Sequence, residues 1–472
     1  MKRSKKLIFL LGILVVICVA TVLVRGIEDR KEKIKNSDKI ILDISRDSVK
    51  TLSWEYESNS FAFHKDKKWL YDKDEAFPVN ENKINQLLRQ FEQFGAAFII
   101  EDVQDYGQYG LDDPICTIKF STEEKSYEVK LGDYSTMDSQ RYVSIGDGNV
   151  YLVKNDPLEK FNVSLRDMIN NDKTPVFSNV DVKDIKFAGI ENYNIVYEKD
   201  SGNSYNPDDV YFAEQHGKKL PLDTSKIDSY LNSISYLDLT NYVTYNATDE
   251  DLQKYGLNSP ELTVTINYTS KDSEDKETSG TFILNISRDP EEKKAAEASK
   301  DKEKDSSEEE EITAYARVGE SKIVYKIPSD SYKKLIDASY NSLRHSEVLS
   351  AKIDDISKFV IALEGNEYTI TSEKKDDKRI YYYNDKEIEI NNLKNVLENL
   401  KSDSFTDKEP TDKEEIRLTL SLDKENSPEI KIVFYRYDGT YCLAEVDGKP
   451  VSLLKRSDVV DLIEAVHSIV LN

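Results

Sequence analysis

Cysteine is nearly missing from this chain: Cys18 lies inside an apolar run, and only Cys116 and Cys442 remain among 472 residues. A fold stapled by disulfides is thereby excluded. Cys116 holds the strand position that Leu262 holds in a similar segment, so it reads as a core residue, the common fate of a free thiol. Histidine is as scarce, with His64, His216, His345 and His467. None stands at His-Glu-x-x-His spacing and none neighbours a Cys-x-x-Cys pair, so each reads as surface or partly packed. Zinc ligation would require a cluster drawn from different parts of the chain, for which the sequence carries no signal.

Glycine-rich phosphate loops are absent as well. Gly146-Asp147-Gly148 lacks a third glycine and leads into a strand pattern, which makes it a hairpin turn rather than a dinucleotide loop. Ser331-Tyr332-Lys333-Lys334, Ser372-Glu373-Lys374-Lys375 and Ser421-Leu422-Asp423-Lys424 each satisfy Ser-x-x-Lys, but Ser-Asp-Asn and Lys-Thr-Gly are missing. The sequence therefore names no catalytic, cofactor-binding or metal-ligating residue, and the chain reads as non-catalytic, with no cofactor. Positive charge is in deficit: 89 Asp and Glu against 65 Lys and Arg leave a net charge of −24. Such a surface repels nucleic-acid phosphates and broad docking on anionic lipid.

One long apolar run exists. Leu7 to Val24 carries no charge and is close to the minimum of about 18 residues for a membrane-crossing helix. Lys2, Arg3, Lys5 and Lys6 precede it, which favours a cytoplasmic N-terminus and an extracytoplasmic bulk. Val22-Leu23-Val24-Arg25 is a poor cleavage site for a signal peptide. Ile17 before Cys18 is wrong for lipid attachment, so an uncleaved anchor in the cell membrane is the reading.

The rest of the chain repeats a plan. Tyr109-Gly110-Leu111-Asp112-Asp113-Pro114 and Tyr255-Gly256-Leu257-Asn258-Ser259-Pro260 share Tyr-Gly-Leu-x-x-Pro, and an alternating strand follows each. Helical stripes recur at i, i+3, i+4 and i+7: Ile84, Leu87, Leu88 and Phe91; Ile227, Tyr230, Leu231 and Ile234; Leu393, Val396, Leu397 and Leu400. Asn80 and Asp223 stand where N-caps belong. The signature reads as punctuation: Thr248 to Asp251 caps a short turn, Gly256 ends it in the left-handed region, and Pro260 admits a strand.

These patterns predict an α+β fold: a transmembrane helix followed by three tandem units of antiparallel sheet plus helices. The boundaries are 1–39 for tail, anchor and linker, then 40–172, 173–346 and a degenerate third unit, 347–472. The helices bearing Ile84, Ile227 and Leu393 are expected on equivalent sheet faces. An acidic insertion, 288–311, has a composition that cannot bury apolar area, so a mobile extension is expected there. Tyrosine is abundant, 29 residues, and Tyr381-Tyr382-Tyr383 reads as strand residues, with a stacking platform for glycan or peptide as the other reading.

The anchor, the Trp69-Leu70 strand, the two Tyr-Gly-Leu-x-x-Pro signatures and the hairpin with Tyr151-Leu152-Val153 resemble a bacterial single-pass membrane family, domain of unknown function 4340. The resemblance implies an accessory or scaffold protein of the cell envelope, working with subunits of an ABC transporter of the gliding-motility type. It carries over no catalytic residue. From a different class, an envelope enzyme or glycan- or peptide-binding protein with a site between units is the alternative.

Overall fold

Alternation of apolar and polar residues builds most of this chain. In Glu414–Leu422 the side chains of Ile416, Leu418, Leu420 and Leu422 are buried while the residues between them stay accessible. Cys116, Ile118 and Phe120 do the same in Cys116–Ser121. The computed structural model describes residues 39–471 apart from 102, 216, 272–274, 300–310, 377, 411–412 and 425–427. Over these the fold is mainly antiparallel sheet, in four sheets of two, eight, nine and nine strands.

The three large sheets share one strand order. A meander opens each, and its first strand ends beside a strand made much later. Thr51–Tyr56 pairs with Cys116–Ser121, Asp181–Gly189 with Leu262–Lys271, and Ile356–Leu363 with Glu414–Leu422. A helix intervenes between those partners: Glu81–Leu88, Thr224–Ser235 and Asn391–Asn399 respectively. A second meander continues from the later strand. In the first and third sheets it ends on a short strand that precedes it in sequence, Phe98–Ile100 and Ser404–Phe405.

The helical stripes face the cores. Ile84, Leu87, Leu88 and Phe91 are buried, as are Ile227, Tyr230, Leu231 and Ile234. In the third sheet Leu393, Leu397 and Leu400 are buried, and Val396 packs half-buried beside them. Asn80 and Asp223 cap their helices through side-chain oxygens, whereas Ile390 offers no such bond.

The expectation of an α+β chain led by a transmembrane helix is corrected. Sheet dominates, and no helix among the described residues is long and apolar enough to cross a membrane. The run Leu7 to Val24 lies outside the described residues. The physical reason for the excess of sheet is that many strands are polar on one face or both. Asn366–Lys375 buries Ile370 alone, a weak signal beside a helical stripe. The helical segments after the last hairpins of the first two large sheets are short and broken. The first is Leu158–Phe161 followed by a single 3-10 turn, the second Ser329–Ile336 and Tyr340–Leu343.

The chain divides into two compact units. One comprises residues up to Asp172 together with Tyr242–Ala247; the other comprises Lys173–Asn241 and Thr248–Asn472. Within the first, Tyr245 donates its hydroxyl to Asp74 at 2.7 Å and its ring meets Phe77 edge-on, while Arg166 lies over Tyr242. The second and third large sheets belong mostly to the other unit.

The signature is punctuation in fact. Gly110 and Gly256 have φ of 68° and 70°, where a side chain is strained. Thr248 and Asp251 form the capping box. In the first sheet the signature rests on Gly132, where a Cβ would lie 2.2 Å from the Tyr109 carbonyl oxygen. In the second sheet Ser287 takes a corresponding place and donates its hydroxyl to the Gly256 carbonyl at 2.8 Å. The acidic insertion departs from expectation. Its first part is a helix, Pro290–Ser299, whose opening amides at Glu291 and Glu292 bond to Asp289. Lys293 pairs with Glu261 at 2.5 Å and Glu292 accepts from the Thr313 amide.

Candidate functional site at the His345 connector

The segment that leads from the second large sheet into the third gathers a polar network of side chains distant in sequence. It starts at the N-cap of Thr224–Ser235. Asp223 Oδ1 accepts from the amides of Ser225 and Lys226, and the Asp223 amide donates to the Leu343 carbonyl at 3.1 Å. Lys226 Nζ donates to the Arg344 carbonyl at 2.8 Å. Beyond His345 the chain is tied to the third sheet's helix end: Glu347 bridges Lys401, and the Val348 amide donates to the Leu400 carbonyl. Arg344 stacks over Tyr340 and over Phe405 at 4.2 Å.

A loop over 198–210, inserted between Tyr193–Tyr197 and Tyr211–Gln215, meets this connector. The matching turn in the third sheet, between Lys375 and Lys378, is far shorter. Thr224 Oγ1 pins the loop by donating to the Asp208 carbonyl and accepting from the Val210 amide. From the loop, Asp209 turns inward until its side chain is 1% exposed. Its two oxygens accept from Ser204 Oγ at 2.6 Å and His345 Nε2 at 2.8 Å. Asp208 pairs with Lys352 at 2.7 Å. Tyr205 packs against the third sheet's core, donates to Asp447 Oδ2 at 2.8 Å, and receives Lys424 Nζ on its carbonyl.

Electrostatics follow from this geometry. Burial alone would lower the His345 pKa, but the Asp209 bond and the charges of Asp209, Asp223 and Glu347 outweigh it and raise the value above the ordinary imidazole range. Burial opposes ionisation of Glu347, yet its own amide, Lys401 and His345 hold its carboxyl below the usual range. Burial, with the Asp447 bond, pushes the Tyr205 hydroxyl up to about 12, so it is a donor at neutral pH. His345, Asp223 and Glu347 each present a ligand-type atom within 4.8 Å of the others.

Other side chains singled out in the sequence fall elsewhere. His64 pairs with Asp72 on the surface and His467 lies 3.6 Å from Glu364, while His216 is outside the described residues. Cys116 and Cys442 are buried free thiols, pushed up by burial to about 12 and 11. Tyr381 is buried and Tyr382 and Tyr383 are half-buried on alternating faces, so the three rings do not form one platform. Two clefts open to solvent: one of about 710 Å³ runs between Ser204, Tyr205, Lys219 and Asp447, another of about 450 Å³ between Asp43, Asp47, Lys50 and Glu123.

The His345 network was not legible beforehand. Asp209 and His345 stand 136 positions apart, and the Asp223 cap gives no hint that it faces an imidazole. The one local signal was Glu347 two residues after His345, a spacing too common to weigh.

A family profile described as a domain of unknown function, 4340, matches residues 69–260 and again 215–419. No curated protein and no solved structure matches the chain. Each matched stretch starts near the outer edge of one large sheet and ends in or beside the later central strand of the next, so the profile's period is offset from the sheets themselves.

Proposed function

Because the chain belongs to the domain of unknown function 4340 family over residues 69–419, we propose that it is a membrane-anchored, extracytoplasmic accessory or scaffold protein. In this reading it is non-catalytic and works beside the subunits of an ABC transporter of the gliding-motility type. The anchor is Leu7 to Val24, preceded by Lys2, Arg3, Lys5 and Lys6.

The observation that carries the reading is where the polar chemistry goes. Tyr205, Asp208, Asp209, His345 and Lys424 are engaged in fastening one sheet to the next. A scaffold needs that fixed spacing of surfaces. An enzyme needs such groups aimed at a water-excluding cavity, whereas the clefts at Ser204–Asp447 and at Asp43–Glu123 are open to solvent.

Exposed apolar side chains offer handles for the test. Ile190 is 64% exposed and Tyr236 77% exposed. A photo-crosslinking amino acid at either position, activated in native membranes, should yield adducts with membrane-embedded or partner subunits of an ABC transporter. Adducts confined to unrelated envelope proteins, or turnover of a glycan or peptide substrate by the purified chain, would overturn the proposal.

A further inference from the structure

We propose that Asp223, His345 and Glu347 form a binding site for one divalent transition cation of the zinc class, fastening the second large sheet to the third. The proposal goes beyond the scaffold reading and does not depend on any transporter partner.

The donor set is the first support. An imidazole nitrogen with two carboxylates suits a borderline cation such as Zn²⁺, with water completing a four-coordinate shell. The three donor atoms lie within 4.8 Å of one another. His345 Nδ1 is 4.0 Å from Glu347 Oε2, too long for a hydrogen bond. Two ligands about 2.0–2.1 Å from a tetrahedral zinc stand roughly 3.4 Å apart. A small contraction brings both into range.

The surroundings are the second, independent support. An ionised carboxylate only accepts, so Asp209 holds the Nε2–H of His345 and leaves Nδ1 facing Glu347, where a cation that displaces the Nδ1 proton finds the lone pair. A ligating histidine whose other nitrogen donates to a buried carboxylate is the arrangement that orients imidazole on metals. Asp209 is itself locked by Ser204. Asp223 commits only Oδ1 to its helix cap, so the second oxygen is not taken by those bonds. The backbones of Asp223 and Glu347 are pinned, by the Asp223–Leu343 bond on one side and the Glu347–Lys401 bridge on the other. Lys401 Nζ, 3.3 Å from Glu347 Oε1, is the competing cation, and at 57% exposure it is free to swing into solvent.

The test uses the full chain in detergent, stripped with a chelator and titrated with zinc in excess magnesium, which occupies the acidic surface. One zinc per chain should bind tightly and raise the melting temperature. Cobalt substituted for zinc should give the visible absorption of a four-coordinate nitrogen–oxygen site. Glu347→Gln and His345→Gln should abolish both the tight event and the cobalt spectrum. Asp223→Asn keeps a competent cap and should also lose tight binding. Asp209→Asn retains all three ligands and should weaken binding by about 10–100-fold. His64→Ala should bind as the parent does. If His345→Gln fails to fold, as judged by circular dichroism, the Glu347 and Asp223 variants carry the result. Absence of a tight zinc event in the parent, or its survival in Glu347→Gln, would overturn the proposal.

Discussion

Tyr205 and Asp447 are 242 positions apart, yet the phenol of one donates to the carboxylate of the other at 2.8 Å. The loop holding Tyr205 belongs to the second large sheet and the turn holding Asp447 to the third, so this bond belongs to the joint between them. Tyr205→Phe keeps the ring packing and removes the bond, at a cost of about 1 kcal/mol. Tyr205→Ala also removes a half-buried ring and should cost about 2–3 kcal/mol. Both tryptophans, Trp54 and Trp69, lie in the first large sheet. Denaturation followed by circular dichroism should therefore shift while tryptophan fluorescence barely moves; equal shifts in both signals would refute the assignment.

The His345 cluster makes stability depend on pH in a defined direction. Its folded pKa is raised, so the contribution is complete below the unfolded value, about 6.5, and is lost as pH rises through the folded value. Glu347 acts oppositely: its depressed pKa gives a contribution present above the unfolded value and lost as pH falls. The difference in melting temperature between the metal-free parent and His345→Gln should shrink from pH 6 to pH 9. A difference that grows over that range would contradict the cluster.

Buried thiols should be silent. Cys116 and Cys442 sit in different sheets with their ionisation suppressed by burial. In a Cys18→Ala background, a thiol reagent should label neither residue in the folded chain and both after unfolding without reductant. Rapid native labelling, or a need for reductant, would count against the packing described.

Gly132 is where the first signature leans on the sheet. Gly132→Ala forces a methyl against the Tyr109 carbonyl, a contact that only backbone movement relieves. A destabilisation of about 1–3 kcal/mol is expected, read by tryptophan fluorescence. Gly202→Ala, in open space without a positive φ, should stay within about 0.5 kcal/mol. Equal effects would mean that the signature is not docked there.

The acidic insertion is a mixed case. Deleting 300–310 alone should leave stability nearly unchanged, since the supporting contacts of Lys293 and Glu292 lie before it. Deleting 288–311 removes the helix and uncovers Glu261, which also accepts from the Arg288 amide and from Tyr332. That deletion should lower the melting temperature by several degrees. If the two deletions behave alike, helix Pro290–Ser299 is not part of the fold's support.

What the sequence made legible was local. The stripes at Ile84, Ile227 and Leu393, the caps at Asn80 and Asp223, and the glycine-terminated signature are read within one or two helical turns, and each is found. The balance of sheet to helix was misjudged because strands such as Asn366–Lys375 bury one side chain and leave little periodicity. The helix Pro290–Ser299 was missed because its support comes from Glu261 and Thr313 rather than from an apolar face of its own. The His345 network was illegible for a different reason. Its members meet only after two sheets have formed, and no pattern in the chain encodes that meeting.

The strand order has a consequence for how the chain comes to be folded. In every large sheet the opening strand waits for a central partner made much later, as Thr51–Tyr56 waits for Cys116–Ser121. Contacts of such high order are slow to close, and an apolar strand edge stays open meanwhile. A chain emerging from its N-terminus thus carries one unfinished edge at a time, sealed before the next sheet begins. Pausing synthesis or export between Tyr56 and Cys116, between Gly189 and Leu262, or between Leu363 and Glu414 leaves the protein most open to aggregation.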